Sequence, residues 1–189
     1  MGLWEAVWKS GVLGAVQGLT EFLPVSSSGH LTFLQIIGLD FGEGMMTFIN
    51  VMMHLGTLIA VIAVFWRDIL ALFRKPFRTL FMLIVATIPA GVVGLLFSDQ
   101  IDALFDGPKG LLYLAVCFAF TGLLLLVCEL VAKRQKKPHA LGWGSSVSMG
   151  LMQAVALFPG ISRSGSTIVA GTLTGAKRED VAKFSFLMS

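Results

Sequence analysis

Three runs of apolar residues limit what this chain can fold into: Thr47 to Trp66, Leu80 to Phe97 and Gly110 to Val131. The one Asp, Glu, Lys or Arg within them is Glu129, close to an end. A helix needs about 20 mostly apolar residues to cross a hydrocarbon core, and a soluble helix of that length normally alternates polar and apolar faces. Composition agrees: the chain is 56% hydrophobic and 13% charged, where soluble domains carry roughly 25% charged residues, and its mean hydropathy is +0.84. The sequence therefore predicts an all-α polytopic membrane protein forming a single membrane domain over 1–189.

Charge predicts orientation. Arg67, Arg74, Lys75 and Arg78 fill the link between the first two crossings, and Lys133, Arg134, Lys136 and Lys137 follow the third. Asp99, Asp102 and Asp106 lie between the second and third, with Lys109. The positive-inside rule puts both basic clusters in the cytoplasm and the acidic link outside. The basic runs thus read as a topology signal, and no nucleic-acid partner is expected. Glu5, Lys9, Gln17 and Glu21 interrupt the first apolar segment, and no small-residue cleavage site follows it, so it does not read as a signal peptide. Cys117 and Cys128 are separated by about 16 Å of helical rise, too far to pair with each other.

The flanking segments repeat one another. Gly14, Gln17, Phe22, Val25, Ser26, Ser28 and Gly29 match Gly150, Gln153, Phe158, Ile161, Ser162, Ser164 and Gly165 at a constant separation of 136 (150 − 14, and likewise 165 − 29), with Pro24 and Pro159 slipped by one. Three crossings intervene, which turns the second copy over. The expected architecture is an inverted-topology repeat, the first copy spanning about 1–97 and the second starting near 110. Each copy holds a broken, re-entrant helix pair: an apolar half, a Ser/Gly turn, and a second half from about Ser28 or Ser164. The two pairs are expected to meet near the bilayer midplane, where such breaks are tolerated around polar cavities and mark binding sites. Because the offset runs on to Phe184 and Met188, opposite Phe48 and Met52, the pattern predicts further helices after Ser189.

The turns carry the chemistry. Gln17 and Glu21 share a helix face, and an intramembrane carboxylate is a functional signal. Ser26, Ser27, Ser28 and Gly29 open a half-helix whose dipole and unpaired N–H groups favour an anion such as phosphate, although serines there also serve simply as caps. His30 can act as a nucleophile or proton donor. In the second copy Arg163 requires an anionic partner, and its planar fork suits phosphate oxygens. His54, a turn from Asn50, reads as a packing residue or a supporting group, and His139 receives no role.

The runs Gln17 to Glu21, Leu23 to His30 and Pro159 to Thr167 resemble the bacterial undecaprenyl-diphosphatases, also called bacitracin-resistance proteins. The resemblance implies a hydrolase that converts undecaprenyl diphosphate to undecaprenyl phosphate and inorganic phosphate, recycling the lipid carrier of cell-wall synthesis. It implies a multi-pass protein of the bacterial plasma (inner) membrane, among membrane lipids, with its site facing the outer side. Carried over, Glu21, Ser27, His30 and Arg163 form the catalytic set. Gln17, Ser26, Ser28 and Gly29 of the first stretch and Ser162, Ser164, Gly165, Ser166 and Thr167 of the second surround the substrate. The resemblance also implies a divalent cation, Mg2+ or Ca2+, at Glu21, although Gln17 stands where a second carboxylate would strengthen such a site. Ser27 and His30 both remain open as the nucleophile. A lipid flippase or transporter on the same inverted repeat is the rival reading, and a homodimer is the candidate assembly.

Overall fold

The computed structural model describes residues 2–133 and 138–188. Arg134, Lys136 and Lys137 of the second basic cluster lie outside the described residues. The described chain is all-helical: α1 Leu3–Glu21, α2 Ser27–Ile36, α3 Glu43–Leu72, α4 Arg78–Phe105, α5 Gly110–Ala132, α6 Trp143–Val155, α7 Arg163–Leu173 and α8 Arg178–Met188. Three are long and apolar enough to cross a membrane: Gly44–Leu72 of α3, then α4 and α5. Each contains one of the three expected crossings and outgrows it. Consequently Arg67 lies within α3, Arg78 opens α4, and Asp99 and Asp102 occupy its last turns, leaving Arg74, Lys75, Asp106 and Lys109 between helices.

The outer faces of the long helices carry exposed Leu, Ile, Val and Phe, as a protein solvated by lipid should. Small and polar residues mark the interior. At the α4–α6 crossing, a Cβ on Gly150 would lie 2.3 Å from the Ala86 carbonyl oxygen. Beside it the Ser146 hydroxyl donates to the Met82 carbonyl at 2.8 Å. Close backbone approach at small residues, with interhelical hydrogen bonds, is how helices associate when lipid removes the hydrophobic drive. Met82, Leu83, Met149, Ala170, Val181 and Phe184 extend this contact into the largest buried cluster, joining α4, α6, α7 and α8.

The polar end of this bundle is tied by His139, a residue without a role in the sequence pattern. Its Nδ1 lies 2.8 Å from the Ala140 carbonyl oxygen and its Nε2 2.8 Å from that of Thr174. Its backbone N–H donates to Gly175 and its carbonyl accepts from Lys177. Carbonyl oxygens only accept, so both ring nitrogens must carry protons, and these bonds, Ala140's first, raise the imidazole pKa above its ordinary 6.5. A raised histidine stabilises the fold fully below the ordinary value and loses that contribution as pH rises through the folded one. The thermal midpoint in detergent should therefore fall more steeply as pH rises above 6.5 for the wild type than for His139→Asn. Equal slopes would remove His139 as a clamp between the α5–α6 link and the α7–α8 turn.

Candidate active site

Helix α1 stops at Glu21 and α2 begins at Ser27, while α6 stops at Val155 and α7 begins at Arg163. Both second halves start one residue earlier than the sequence expectation, and Arg163 is the first helical residue of its half. The two starts are capped alike. The Ser26 hydroxyl accepts from the Gly29 N–H at 3.3 Å, and the Ser162 hydroxyl accepts from Gly165 at 3.0 Å. Ser26 also lies 3.3 Å from the Ser28 hydroxyl, and Ser162 lies 3.4 Å from that of Ser164. The one-residue slip of the prolines goes with different turns. The first reverses at Ser26, with φ +65°, and the second at Gly160, with φ +92°, a conformation that glycine adopts without a Cβ clash.

The two turns interlock. A Cβ on Gly29 would stand 2.6 Å from the Gly160 Cα, and one on Gly165 would stand 3.2 Å from the Pro24 carbonyl oxygen. Thr121 of α5 staples the second turn: its hydroxyl donates to the Gly160 carbonyl at 2.9 Å and accepts from the Ser162 N–H at 3.1 Å. Nothing in the sequence signals this function, because a lone threonine in an apolar helix ordinarily bonds its own backbone.

Charge and hydroxyl meet where the turns cross. Gln17 Nε2 donates to Glu21 Oε2 at 3.0 Å, and the Ser27 hydroxyl donates to the same oxygen. Glu21 Oε1 lies 3.5 Å from Arg163 Nη2. Glu21 therefore holds the hydroxyl of the first motif and the guanidinium of the second. These groups border a cavity of about 450 Å3. Its polar wall includes Glu21, Ser26, Ser27, Ser28, Ser162, Arg163 and Ser164, and its other wall is apolar, from Leu58, Val61 and Ile62 to Phe186 and Leu187. His54 and Thr57 of α3 also line it.

The remaining sequence-selected residues stand behind this wall and do not line the cavity: Gln17, Gly29, His30, Gly165, Ser166 and Thr167. Gln17 is buried under Glu21. His30 Nδ1 donates to the Ser26 carbonyl at 2.8 Å, and the ring packs edge-on against Phe118 at 5.1 Å. That bond leaves the lone pair of the neutral ring on Nε2. Thr167 bonds the Arg163 carbonyl at 2.9 Å and the Ser185 hydroxyl at 2.6 Å, securing the first turn of α7.

These features define a class: an all-helical membrane protein in which two capped helix starts, a carboxylate and an arginine share a cavity with an apolar wall. Known proteins place it further. The bacitracin resistance protein BacA family matches residues 10–189. A relative from Rubrobacter xylanophilus named undecaprenyl-diphosphatase is 43% identical over 193 residues, covering 94% of this chain and 70% of its own. Proteins of the same name from Halothermothrix orenii and Moorella thermoacetica are 40% and 41% identical, each covering 97% of this chain and 70% and 71% of their own lengths. The chain belongs to the bacitracin resistance protein BacA family.

The interlock makes a direct prediction. Gly29→Ala forces a methyl group into the Gly160 backbone, a clash that costs about 1–3 kcal/mol when a tight core is overpacked. The thermal midpoint in detergent should drop, and Cys117, beside Gly160, should label faster with a thiol reagent. Wild-type stability and labelling in Gly29→Ala would mean that the turns do not touch as described.

Proposed function

We propose that this protein hydrolyses undecaprenyl diphosphate to undecaprenyl phosphate and inorganic phosphate, recycling the lipid carrier for cell-wall synthesis in the bacterial plasma membrane. The observation that carries the reading is Glu21 joined at once to the Ser27 hydroxyl and the Arg163 guanidinium, at the two helix starts. Family membership and the relatives' name support the substrate. Helix starts and arginine both favour phosphate, and the apolar wall suits a prenyl chain.

The terminal phosphate sits against the starts of α2 and α7, with Arg163 neutralising its charge. Ser27 Oγ attacks the terminal phosphorus while its proton passes to Glu21. The bond from that phosphorus to the bridging oxygen breaks, and its electron pair leaves on undecaprenyl phosphate. Water then attacks the phosphoserine, Glu21 returns its proton to Ser27 Oγ, and inorganic phosphate departs with the water's oxygen. Ser27 is favoured over His30 as nucleophile because it borders the cavity and touches Glu21, whereas His30 does neither. His30 instead steadies the first turn of α2 through the Ser26 carbonyl.

A divalent cation belongs to the same proposal. Among the described residues no three His, Cys, Asp or Glu side chains come together. Glu21 and Gln17 Oε1, a buried oxygen without a hydrogen-bond partner, form a partial donor set. That fits Mg2+, which binds through one or two carboxylates together with substrate phosphates, and Glu21 with Gln17 would hold it. Once bound, the cation would neutralise phosphate charge.

The two broken helices are read as an inverted repeat with its site near the bilayer midplane, open to the outer side. Support comes from the turn contacts: shifting Gly29 and Pro24 by the repeat offset gives Gly165 and Gly160, so the Gly29–Gly160 approach exchanges with Gly165–Pro24. A two-fold relation between the copies would exchange contacts in this way.

Phosphate release from a long-chain polyprenyl diphosphate in detergent, with and without Mg2+, tests the reading. Arg163→Ala should lose about 10²–10³-fold in turnover, the usual effect of removing one donor to a developing anion. Ser27→Ala should lose more, and His30→Ala should retain measurable activity. Full activity in Ser27→Ala would exclude the serine route, and no release by folded wild-type protein would overturn the function.

A further inference from the structure

Helices α1 and α3 run side by side in the same direction. Lys9 stands over the Phe41 ring at 5.9 Å, just before α3. Leu13 packs in one cluster with Met46. Further along, Phe22 reaches Phe186 at 6.4 Å, and Phe186 stacks on Phe65 at 5.8 Å. The register that pairs Leu13 with Met46 brings Glu21 level with His54.

From His54 onward a single stripe of α3 faces the cavity: His54, Thr57, Leu58, Val61 and Ile62, continued by Ile69 and Leu72. From His54 to Ile62 these positions follow the helical spacing of one face, and a kink at Phe65 separates them from Ile69 and Leu72. The stripe is polar for its first turn and apolar for the rest. A polyprenyl diphosphate has the same order, two phosphates followed by a chain. With the terminal phosphate on α2 and α7, the chain-bearing phosphate falls where the stripe changes character, at His54 and Thr57.

Of these two, His54 is the group able to grip an anion. Thr57 donates its hydroxyl proton to the His54 carbonyl at 3.0 Å or that of Met53 at 3.4 Å, so toward the cavity it can only accept. His54 Nδ1 donates to the Asn50 carbonyl at 2.8 Å, fixing the ring on its own helix. Its Nε2 has no hydrogen-bond partner among the described residues. The charged groups across the cavity, Glu21 and Arg163, already pair with each other. The Asp68–Lys183 pair lies well along α3 from His54, with Asp68 between Ile62 and Ile69.

We infer that His54 binds the phosphate bearing the prenyl chain and so selects a diphosphate lipid, an inference that rests on the proposed hydrolase function. With Nδ1–H held on the Asn50 carbonyl, Nε2 is the ring position that meets a phosphate oxygen. The contact is present in the substrate and persists in the lipid monophosphate product. It therefore governs binding of both and leaves the terminal-phosphate cradle unchanged. His54 is a specificity residue that does not take part in bond making.

The test compares wild type, His54→Ala and His54→Gln in detergent, with a medium-chain polyprenyl diphosphate as substrate and two inhibitors, the matching polyprenyl monophosphate and inorganic phosphate. In His54→Ala, KM and the inhibition constant of the lipid monophosphate should both rise about tenfold or more, the effect of losing a charge-assisted hydrogen bond. The inhibition constant of inorganic phosphate should stay within about twofold, because that ligand occupies the α2–α7 cradle. His54→Gln, whose amide can donate in place of Nε2–H, should recover most of both losses. Unchanged KM and lipid-monophosphate inhibition in His54→Ala would overturn the inference, as would equal weakening of both inhibitors. If His54→Ala does not fold, a His54→Gln that binds the lipid monophosphate no better than folded His54→Leu overturns it equally. No phosphate release by folded wild type would instead count against the hydrolase reading, and direct binding of the lipid monophosphate would still test His54.

Discussion

The pairing of Glu21 with Arg163 joins the last residue of α1 to the first residue of α7. An isolated charge in an apolar segment costs several kcal/mol, so each of these residues constrains where the other can be. Ser27 and Gln17 fill the second carboxylate oxygen, which turns the ion pair into a four-residue junction. With α1 and α7 held end to start, the α2 and α7 starts reach the same cavity, which is the arrangement the proposed shared phosphate requires. Two partial dipoles and a guanidinium in one place all favour an anion.

The rest of the bundle makes that junction geometrically feasible. Turns can cross there only if backbone approaches backbone, and Gly29 and Gly160 supply the space. Thr121 holds the second turn from the side, so the loop keeps its hydrogen bonds although it lies among apolar helices. The α4–α6 crossing at Gly150 carries α6 to its end behind the second turn. The exposed apolar surfaces of α3, α4 and α5 suit a lipid environment, and the stripe of α3 leading away from the junction continues the apolar wall of the cavity.

Much of this was legible in sequence because the signals are local. The three spans followed from uncharged runs. The shared face of Gln17 and Glu21 followed from four-residue spacing, and the match of Ser26 with Ser162 followed from a constant offset. Contacts between distant segments were not legible. His139 gains its role from Thr174 and Gly175, which no local pattern links to it. Thr121 acts on a turn some forty residues away. His54 was visible as a histidine in an apolar span, but only the register of α1 against α3 sets it beside Glu21. Helix ends were misplaced for a related reason: Arg67, Asp99 and Asp102 remain helical because long spans extend past the apolar zone, so charge alone does not mark where a helix stops.

The central claim is that the two motifs hold one phosphate jointly, and a double-mutant cycle on Ser27 and Arg163 measures this most directly. Affinity for a non-hydrolysable polyprenyl methylenediphosphonate would be determined by calorimetry for the wild type, Ser27→Ala, Arg163→Gln and the double variant. A joint site gives a coupling of about 1 kcal/mol or more, because removing either partner rearranges the Glu21 junction that the other depends on. Additivity within about 0.5 kcal/mol would mean that the motifs bind independently, and the shared cradle would be wrong.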